Sequence, residues 1–418
     1  MSATRVERVF ALREWVGRAM PEPLTHRHGH FYVWRRVAVE RMLHAARAGR
    51  APDFATTTVA AAVAARPGAR AVMCEPAVST VFPLPRVHTT RRWLLDVQSP
   101  PRAIDWPAMR VLDLPNGVVL THEGVVGPDP DTMVTDLGFV DEIDERELFR
   151  RADAARHRGC VTLPGTTMSM LQLFPSNFAH NLVQGLPRLA LFRRAIDFDA
   201  VDRVLLNVSA PRVTREAVAR VGFGPDRVVE VPDDTPTFVC ERLLAATCMP
   251  QNSGTPSWAL AFLRELFGVV PPDSSPRRVF VVRGTGDARG VVNHPEVAAA
   301  LAARGFTEVA MDGLSREEQV AVFAGAEIVV GVHGAALANL VFARPGTSVI
   351  ELVGANTLNW VYSPLSWTAG FEHDILVGVE PTPSPAFWTW QRDADQLVDV
   401  VRLGELVDIA LTRVDART

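Results

Sequence analysis

Apolar positions in the second half of the chain fall into short β-branched runs, separated by stretches with helical spacing. From residue 277 onward this pattern predicts strand 278–283, helix 294–304, strand 307–310, helix 315–324, strand 326–330, helix 335–342, strand 347–352, helix 358–368 and strand 373–377. Such alternation predicts a parallel sheet wrapped by helices. Ser315 with Glu318 makes a capping-box pair ahead of Val320 and Phe323 and marks that helix start. Asn293 reads as the N-cap of helix 294–304, its side chain accepting from an orphan amide. The first half is less regular. Residues 110–127, with Asn116-Gly117 between apolar runs, predict a β-hairpin, followed by helix 179–195, strand 201–207 and helix 212–221. The alanine-rich run at 60–65 reads as plain helix, and residues 388–413 as a final helix or pair of helices. Between the two halves lies a proline- and serine-rich stretch at 270–276, which suits a linker and is taken as the domain boundary.

Residues 326–352 carry the densest chemistry. Ile328 to Val330 fills a parallel strand, and Gly331 and Gly334 allow a tight turn and a close backbone approach to a ligand. The first free amides of the helix that follows, near Gly334 and Ala335, point past the strand ends, where a helix N-terminus favours phosphate. Pro345 and Gly346 end that helix. Ser348 to Glu351 forms the next strand and leaves Glu351 at its carboxyl end, within reach of a ribose hydroxyl. The layout is that of a nucleotide site.

Gly331, His333, Gly334, Ala335, Leu337, Asn339, Phe342, Gly346 and Glu351 together resemble the signature of the family-61 glycosyltransferases. Val279 to Arg283 followed by Arg289 and Asn293 resembles a second block of that family. Asn177-Phe178-Ala179-His180 with Leu186-Pro187-Arg188-Leu189 resembles a third, so that the likeness spans about residues 175–355. The resemblance implies a nucleotide-sugar donor, and it implies roles for Asn339 and Glu351 that their positions alone leave open between ligand contact and plain structure.

Composition removes several rivals. The chain has 418 residues, room for two domains with full cores, and a net charge of -4, which gives no general attraction to nucleic acid. All 43 basic residues are arginine. Without lysine there is neither a P-loop nor a pyridoxal Schiff base, whereas arginine suits bidentate capture of a diphosphate. Cys74, Cys160, Cys240 and Cys248 are widely spaced, suggesting neither a zinc site nor a disulfide framework. Arg5, Glu7, Arg8, Arg13 and Glu14 lie in an apparent amphipathic helix with no apolar leader, and the expected compartment is the cytoplasm.

The reaction implied by the resemblance displaces a nucleoside diphosphate from an anomeric carbon, with negative charge growing on the diphosphate. Arg283, Arg289 and the amides near Gly334 are assigned to that charge, and His333 to a phosphate or the donor sugar. An inverting transferase also needs a base. Where the family usually has an acidic residue soon after the Asn-aromatic-x-His element, this chain has Asn181 and Gln184. His180 is therefore the base candidate, with Asp136, Asp233 and Asp234 behind it. Asp197-Phe198-Asp199 and Asp129-Pro130-Asp131 spell a short metal motif but read as turns, and His26, His28 and His30 would share one face of an extended chain as a metal comb. Trp360, Trp367, Trp388 and Trp390 offer sugar-stacking faces or core.

The expectation is an α/β, GT-B-like protein: two Rossmann-like domains facing a central cleft. Residues 1–270 hold the acceptor, 277–385 the nucleotide sugar, and 386–418 form a helical segment packing back on the first domain. The expected activity is inverting, metal-independent transfer from a nucleotide sugar, a UDP-sugar first, to a hydroxyl of a glycan or small molecule, with no tightly bound cofactor, no nucleic-acid partner and no transmembrane segment. The alternatives are a non-catalytic nucleotide-sugar-binding or scaffold protein of a polysaccharide pathway, and a dinucleotide-dependent oxidoreductase. The latter lacks a full glycine fingerprint, because Gly284-Thr285-Gly286 runs into Ala288-Arg289-Gly290 in the wrong frame.

Overall fold

A computed structural model describes residues 54–90, 103–138, 145–250, 254–269, 275–283, 289–355, 359–379 and 395–417. The histidine triplet at 26–30, the N-terminal amphipathic stretch, the Gly284–Gly286 turn, most of the 270–276 linker, and Trp388 and Trp390 lie outside the described residues. The fold is mixed α/β with two large sheets.

The second sheet has six parallel strands in the spatial order Thr307–Ala310, Arg278–Val282, Ile328–Val332, Ser348–Gly354, Glu372–Gly378, Arg86–His88. Apart from the last strand this is the doubly wound order in which the winding reverses between the first and third strands, here Arg278–Val282 and Ile328–Val332. A crevice opens outside the carboxyl ends at such a reversal. The sixth strand comes from the stretch assigned to the first domain.

Two helix starts behave differently. Ser315 and Glu318 make both bonds of the capping box on helix Arg316–Gly325. Asn293 stands at the N-cap of His294–Ala302 but makes no side-chain cap bond. Its amide instead accepts from Val398 N–H at 3.0 Å and donates to Val398 O at 2.8 Å, pairing like a strand with the segment before the last helix. That helix, Val400–Asp415, corrects another expectation. Leu403, Leu406, Val407 and Ala410, spaced as one helical stripe, pack with Phe280, Ile328, Val330, Ile350 and Leu352 on the second sheet, not back on the first.

Asp374 ties these late additions down. It accepts from Arg86 and His88 of the sixth strand and from Arg413 of the last helix, each at 2.9 Å. Burial pushes its carboxyl up, but the bonds from His88, Arg86 and Arg413 outweigh that and hold it well below the ordinary carboxylate range. A depressed native pKa gives stability that is complete above the unfolded value, about 4, and is lost as pH falls toward the native one. Asp374→Asn is thus expected to cost about 1–2 kcal/mol at neutral pH, a figure discounted for the exposure of Arg86. Melting curves from pH 7 to pH 3 should show the difference from wild type shrinking below about pH 4.

The first sheet runs Val228–Val231, Arg203–Asn207, Cys160–Ser169, Thr237–Ala246, Met109–Pro115, Arg70–Glu75, with four parallel strands followed by two antiparallel ones. The hairpin expected at 110–127 does not turn at Asn116-Gly117. Met109–Pro115 and Val118–Val119 both pair with Thr237–Ala246, so the chain bulges and continues along one neighbour. Asn116 takes φ 50°, and a Cβ on Gly117 would meet the Leu243 Cβ at 2.8 Å. The reversal comes later, where Val118–Val119 pairs antiparallel with Val126–Gly127.

Helix 179–195 is also interrupted. It divides into Phe178–His180, a π-turn Asn181–Gly185 and Arg188–Ala195. Pro187 has no N–H to give and its ring would clash with the carbonyl four residues back, so the chain widens a turn before it. Met168, Leu182, Leu186, Leu189 and Leu263 from the first half share one apolar cluster with Val279, Val329, Leu337, Val341 and Phe342 from the second. The two sheets therefore meet through a continuous core.

Candidate functional site

Arg283 directly follows strand Arg278–Val282, and His333 directly follows Ile328–Val332, so the two stand side by side at the winding reversal. Gly331 lies inside its strand, level with Glu351, and not in the turn after it. A Cβ there would meet Leu337 Cδ2 at 2.5 Å, so any larger residue would displace the buried Leu337 side chain.

After His333, Gly334 is extended and the chain enters a 3-10 helix, Ala335–Phe342, where an α-helix was expected. Side chains satisfy carbonyls along and just past this segment: Asn339 donates to Ala336 O at 3.1 Å, and Arg264 to Val341 O at 2.8 Å and Ala343 O at 2.6 Å. The first bond of the turn runs from Leu337 N–H to Gly334 O at 3.1 Å, leaving the Ala335 and Ala336 amides ahead of the ladder.

Arg283 is half-buried and donates from Nη1 to His333 O at 3.2 Å. Its Nε is buried without a partner, and no carboxylate pairs with it among the described residues. A guanidinium in that state favours an anion. It passes so close to Gly334 that a Cβ there would lie 2.1 Å from Nη1. Gly334→Ala should push the guanidinium aside and weaken nucleoside diphosphate binding several-fold, as titration calorimetry would show; undiminished binding would separate Gly334 from Arg283. Arg289 has φ 67°, a left-handed backbone uncommon for a residue with a side chain. The Tyr362 hydroxyl lies near both arginines: burial and the Glu351 charge push its pKa up, while Arg289 and Arg283 pull it down. Tyr362 donates to Gly334 O at 2.7 Å and so pins the turn.

Glu351 is not at a strand end, because its strand continues to Gly354, and it is fully buried. Both carboxylate oxygens are engaged, Oε1 by His333 Nδ1 at 2.5 Å and Oε2 by His373 Nε2 at 3.1 Å. Neither is left for a ribose. Burial alone would raise its pKa, but the two histidines bring it down to about 2. Asn339 is likewise fully buried, its amide shared among Arg316 at 3.3 Å, Gln319 at 3.3 Å and Ala336. Its place is structural, bracing the 3-10 helix against helix Arg316–Gly325.

On the first sheet, the reversal lies between Cys160–Ser169 and Thr237–Ala246, and His180 stands in the first turn after the loop that leaves Cys160–Ser169. The Asn177 side chain caps that turn by accepting from His180 N–H. The imidazole is half-buried, lies 4.9 Å from the Phe174 ring and is bonded through Nδ1 to Gln184 Oε1 at 2.7 Å. Gln184 Nε2 donates to Pro250 O at 3.3 Å. A carbonyl can only accept, so the amide group facing Pro250 is the NH2, Oε1 faces His180, and His180 carries its proton on Nδ1. The Nε2 lone pair is left without a partner among the described residues. Asn181 is buried and committed to Pro175 O, Asn177 O and Thr214.

The two halves of the site touch. The Phe178 ring lies 4.9 Å under the buried Arg316 guanidinium, which bonds Asn339, and the turn carrying His180 packs on the 3-10 helix that follows His333. Arg316, Tyr362 and His373 had no signal in the motif pattern, since their part in the site is set by packing across strands and helices. Asp136 caps helix Val59–Ala65 through Val59 N–H at 2.7 Å, and Asp233 is exposed beside His122. Asp197 and Asp129 each accept from the amide two residues on, as turn residues do. No cluster of three metal-binding side chains occurs among the described residues. Trp360 is buried with Val353, Ile375 and Val377. No helix among the described residues is long and apolar enough to cross a membrane.

Parallel strands ending in a half-buried arginine, with no carboxylate partner among the described residues, and in a glycine-flanked histidine place a cationic group at the strand ends of an α/β protein. Residues 178–350 match the family model Glycosyltransferase 61, bearing out the resemblance read from the sequence. The match takes in His180, Arg283, Arg289, His333 and Asn339. No curated protein matches the chain.

Proposed function

We propose that the protein is an inverting glycosyltransferase of GT-B-like design that moves a sugar from a nucleoside diphosphate, uridine first, to a hydroxyl of a glycan or small molecule. The observation that carries this reading is Arg283, held beside His333 at the strand ends with no carboxylate among the described residues to neutralise it. In the proposed step His180 Nε2 takes the acceptor hydroxyl proton and the hydroxyl oxygen forms a bond to the anomeric carbon. The bond from that carbon to the diphosphate oxygen breaks on the opposite face, which inverts the centre. The departing charge falls on Arg283, Arg289, the Ala335 and Ala336 amides and, when its ring carries a proton on Nε2 as well as on Nδ1, His333.

A thermal-shift screen against uridine, guanosine, adenosine and thymidine diphosphates and their sugar conjugates, with and without EDTA, tests the reading. A selective rise that survives EDTA supports a metal-independent transferase. A rise only with nicotinamide dinucleotides would sink it. The substitution of amides at Asn181 and Gln184 favours a second reading, a donor-binding protein without turnover, which would show the same thermal shift but no transfer or donor hydrolysis.

A further inference from the structure

We infer that His373 is a positioning residue of the diphosphate site: through Glu351 it fixes His333 with its Nε2 edge turned to the crevice. This rests on the donor reading above. Glu351 occupies a strand face where its neighbours Val349 and Val353 are fully buried and apolar. An ionised carboxylate in such a place is strongly destabilising unless each oxygen has a donor. No arginine among the described residues answers it; two imidazoles do, one on each oxygen.

Because the carboxylate is held ionised, each ring must present an N–H to it, Nδ1–H from His333 and Nε2–H from His373. His333 is thereby locked in orientation, its ring edge-on to Tyr362 at 5.6 Å and 61°, with Nε2 free of partners among the described residues. His373 reaches Glu351 from the adjacent strand Glu372–Gly378, is itself buried, and leaves its Nδ1 unpaired. Its one polar contact is thus the one that holds the carboxylate. Without it, Oε2 is bare in an apolar layer, and the carboxylate must rotate or take up a proton. Rotation carries Oε1 away from the His333 ring, and protonation leaves it a neutral, weaker acceptor, so either change loosens the ring.

The test measures affinity for uridine diphosphate, with the guanosine, adenosine and thymidine diphosphates in parallel, in wild type, His373→Leu, His373→Gln and Val349→Ala. His373→Leu should weaken binding roughly ten- to hundredfold, the range seen when a ligating histidine loses its orienting partner in metal sites. His373→Gln, which keeps an N–H donor near the same place, should recover most of it. Val349→Ala opens a cavity on the same strand face and should lower the melting temperature without moving the affinity. If His373→Leu does not fold, His373→Asn, whose amide is too short to reach Oε2, replaces it against His373→Gln. Wild-type affinity in His373→Leu, or equal losses in His373→Leu and Val349→Ala, would overturn the inference while leaving the donor reading intact. A wild type that binds none of the four diphosphates overturns both.

Discussion

His180→Ala is expected to lower transfer by about 10²–10⁴-fold, the usual worth of a positioned general base, while donor affinity stays nearly unchanged. The dissociation follows from geometry. His180 is on the first sheet's side of the crevice and makes none of the contacts around Arg283, so its loss removes proton transfer and leaves the diphosphate cradle standing. The prediction is sharpened by Gln184. The amide accepts at Oε1, so it fixes the ring proton on Nδ1 and leaves the Nε2 lone pair free to accept from a hydroxyl. Gln184→Leu should therefore also lower transfer, by less than His180→Ala, because the ring survives but its tautomer is no longer set. Rates with a labelled donor at saturating acceptor would decide; full turnover in His180→Ala removes it as the base.

The fold was largely legible because the second half obeys simple periodicities. The strands around Val279–Val281 and Val329–Val330 are β-branched and buried on both faces, and Ser315 announces its helix through a local capping box. Failures came where a non-local partner overrode the local signal. Asn116-Gly117 is a hairpin signal, yet the adjoining residues pair with Thr237–Ala246, far along the chain, and the turn becomes a bulge. Pro187 sits within a good helical pattern and is accommodated by a π-turn. The apolar stripe of the last helix states only that it is buried, and the second sheet that covers it is set by the tertiary fold.

The site divides in the same way. Its glycines and Arg283 are visible because close backbone approach and strand-end position leave a trace in sequence. The burial of Glu351 is not, since a carboxylate in a strand reads the same whether it faces a ribose or two histidines. His373 lies 22 residues away on the next strand and enters only through sheet register. Asn339, similarly, is a ligand candidate in one dimension and a brace for Arg316 in three.

Arg283→Ala should weaken nucleoside diphosphate binding by about 1.5–3 kcal/mol, roughly ten- to 150-fold, as expected when a charge-assisted hydrogen bond is lost. The size rests on how little else occupies this guanidinium. It gives one bond to the His333 carbonyl, keeps a buried Nε unpaired and has no carboxylate partner among the described residues, so the free protein pays for a half-buried cation that only an anion relieves. Removing it should accordingly leave the melting temperature of the unliganded protein nearly unchanged or slightly raised, while abolishing most of the ligand-induced rise. Arg283→Lys should restore only part of the affinity, because a point charge cannot make the planar two-pronged contact. Calorimetric titration of the three proteins decides the matter, and equal affinity in wild type and Arg283→Ala would remove the diphosphate from this crevice.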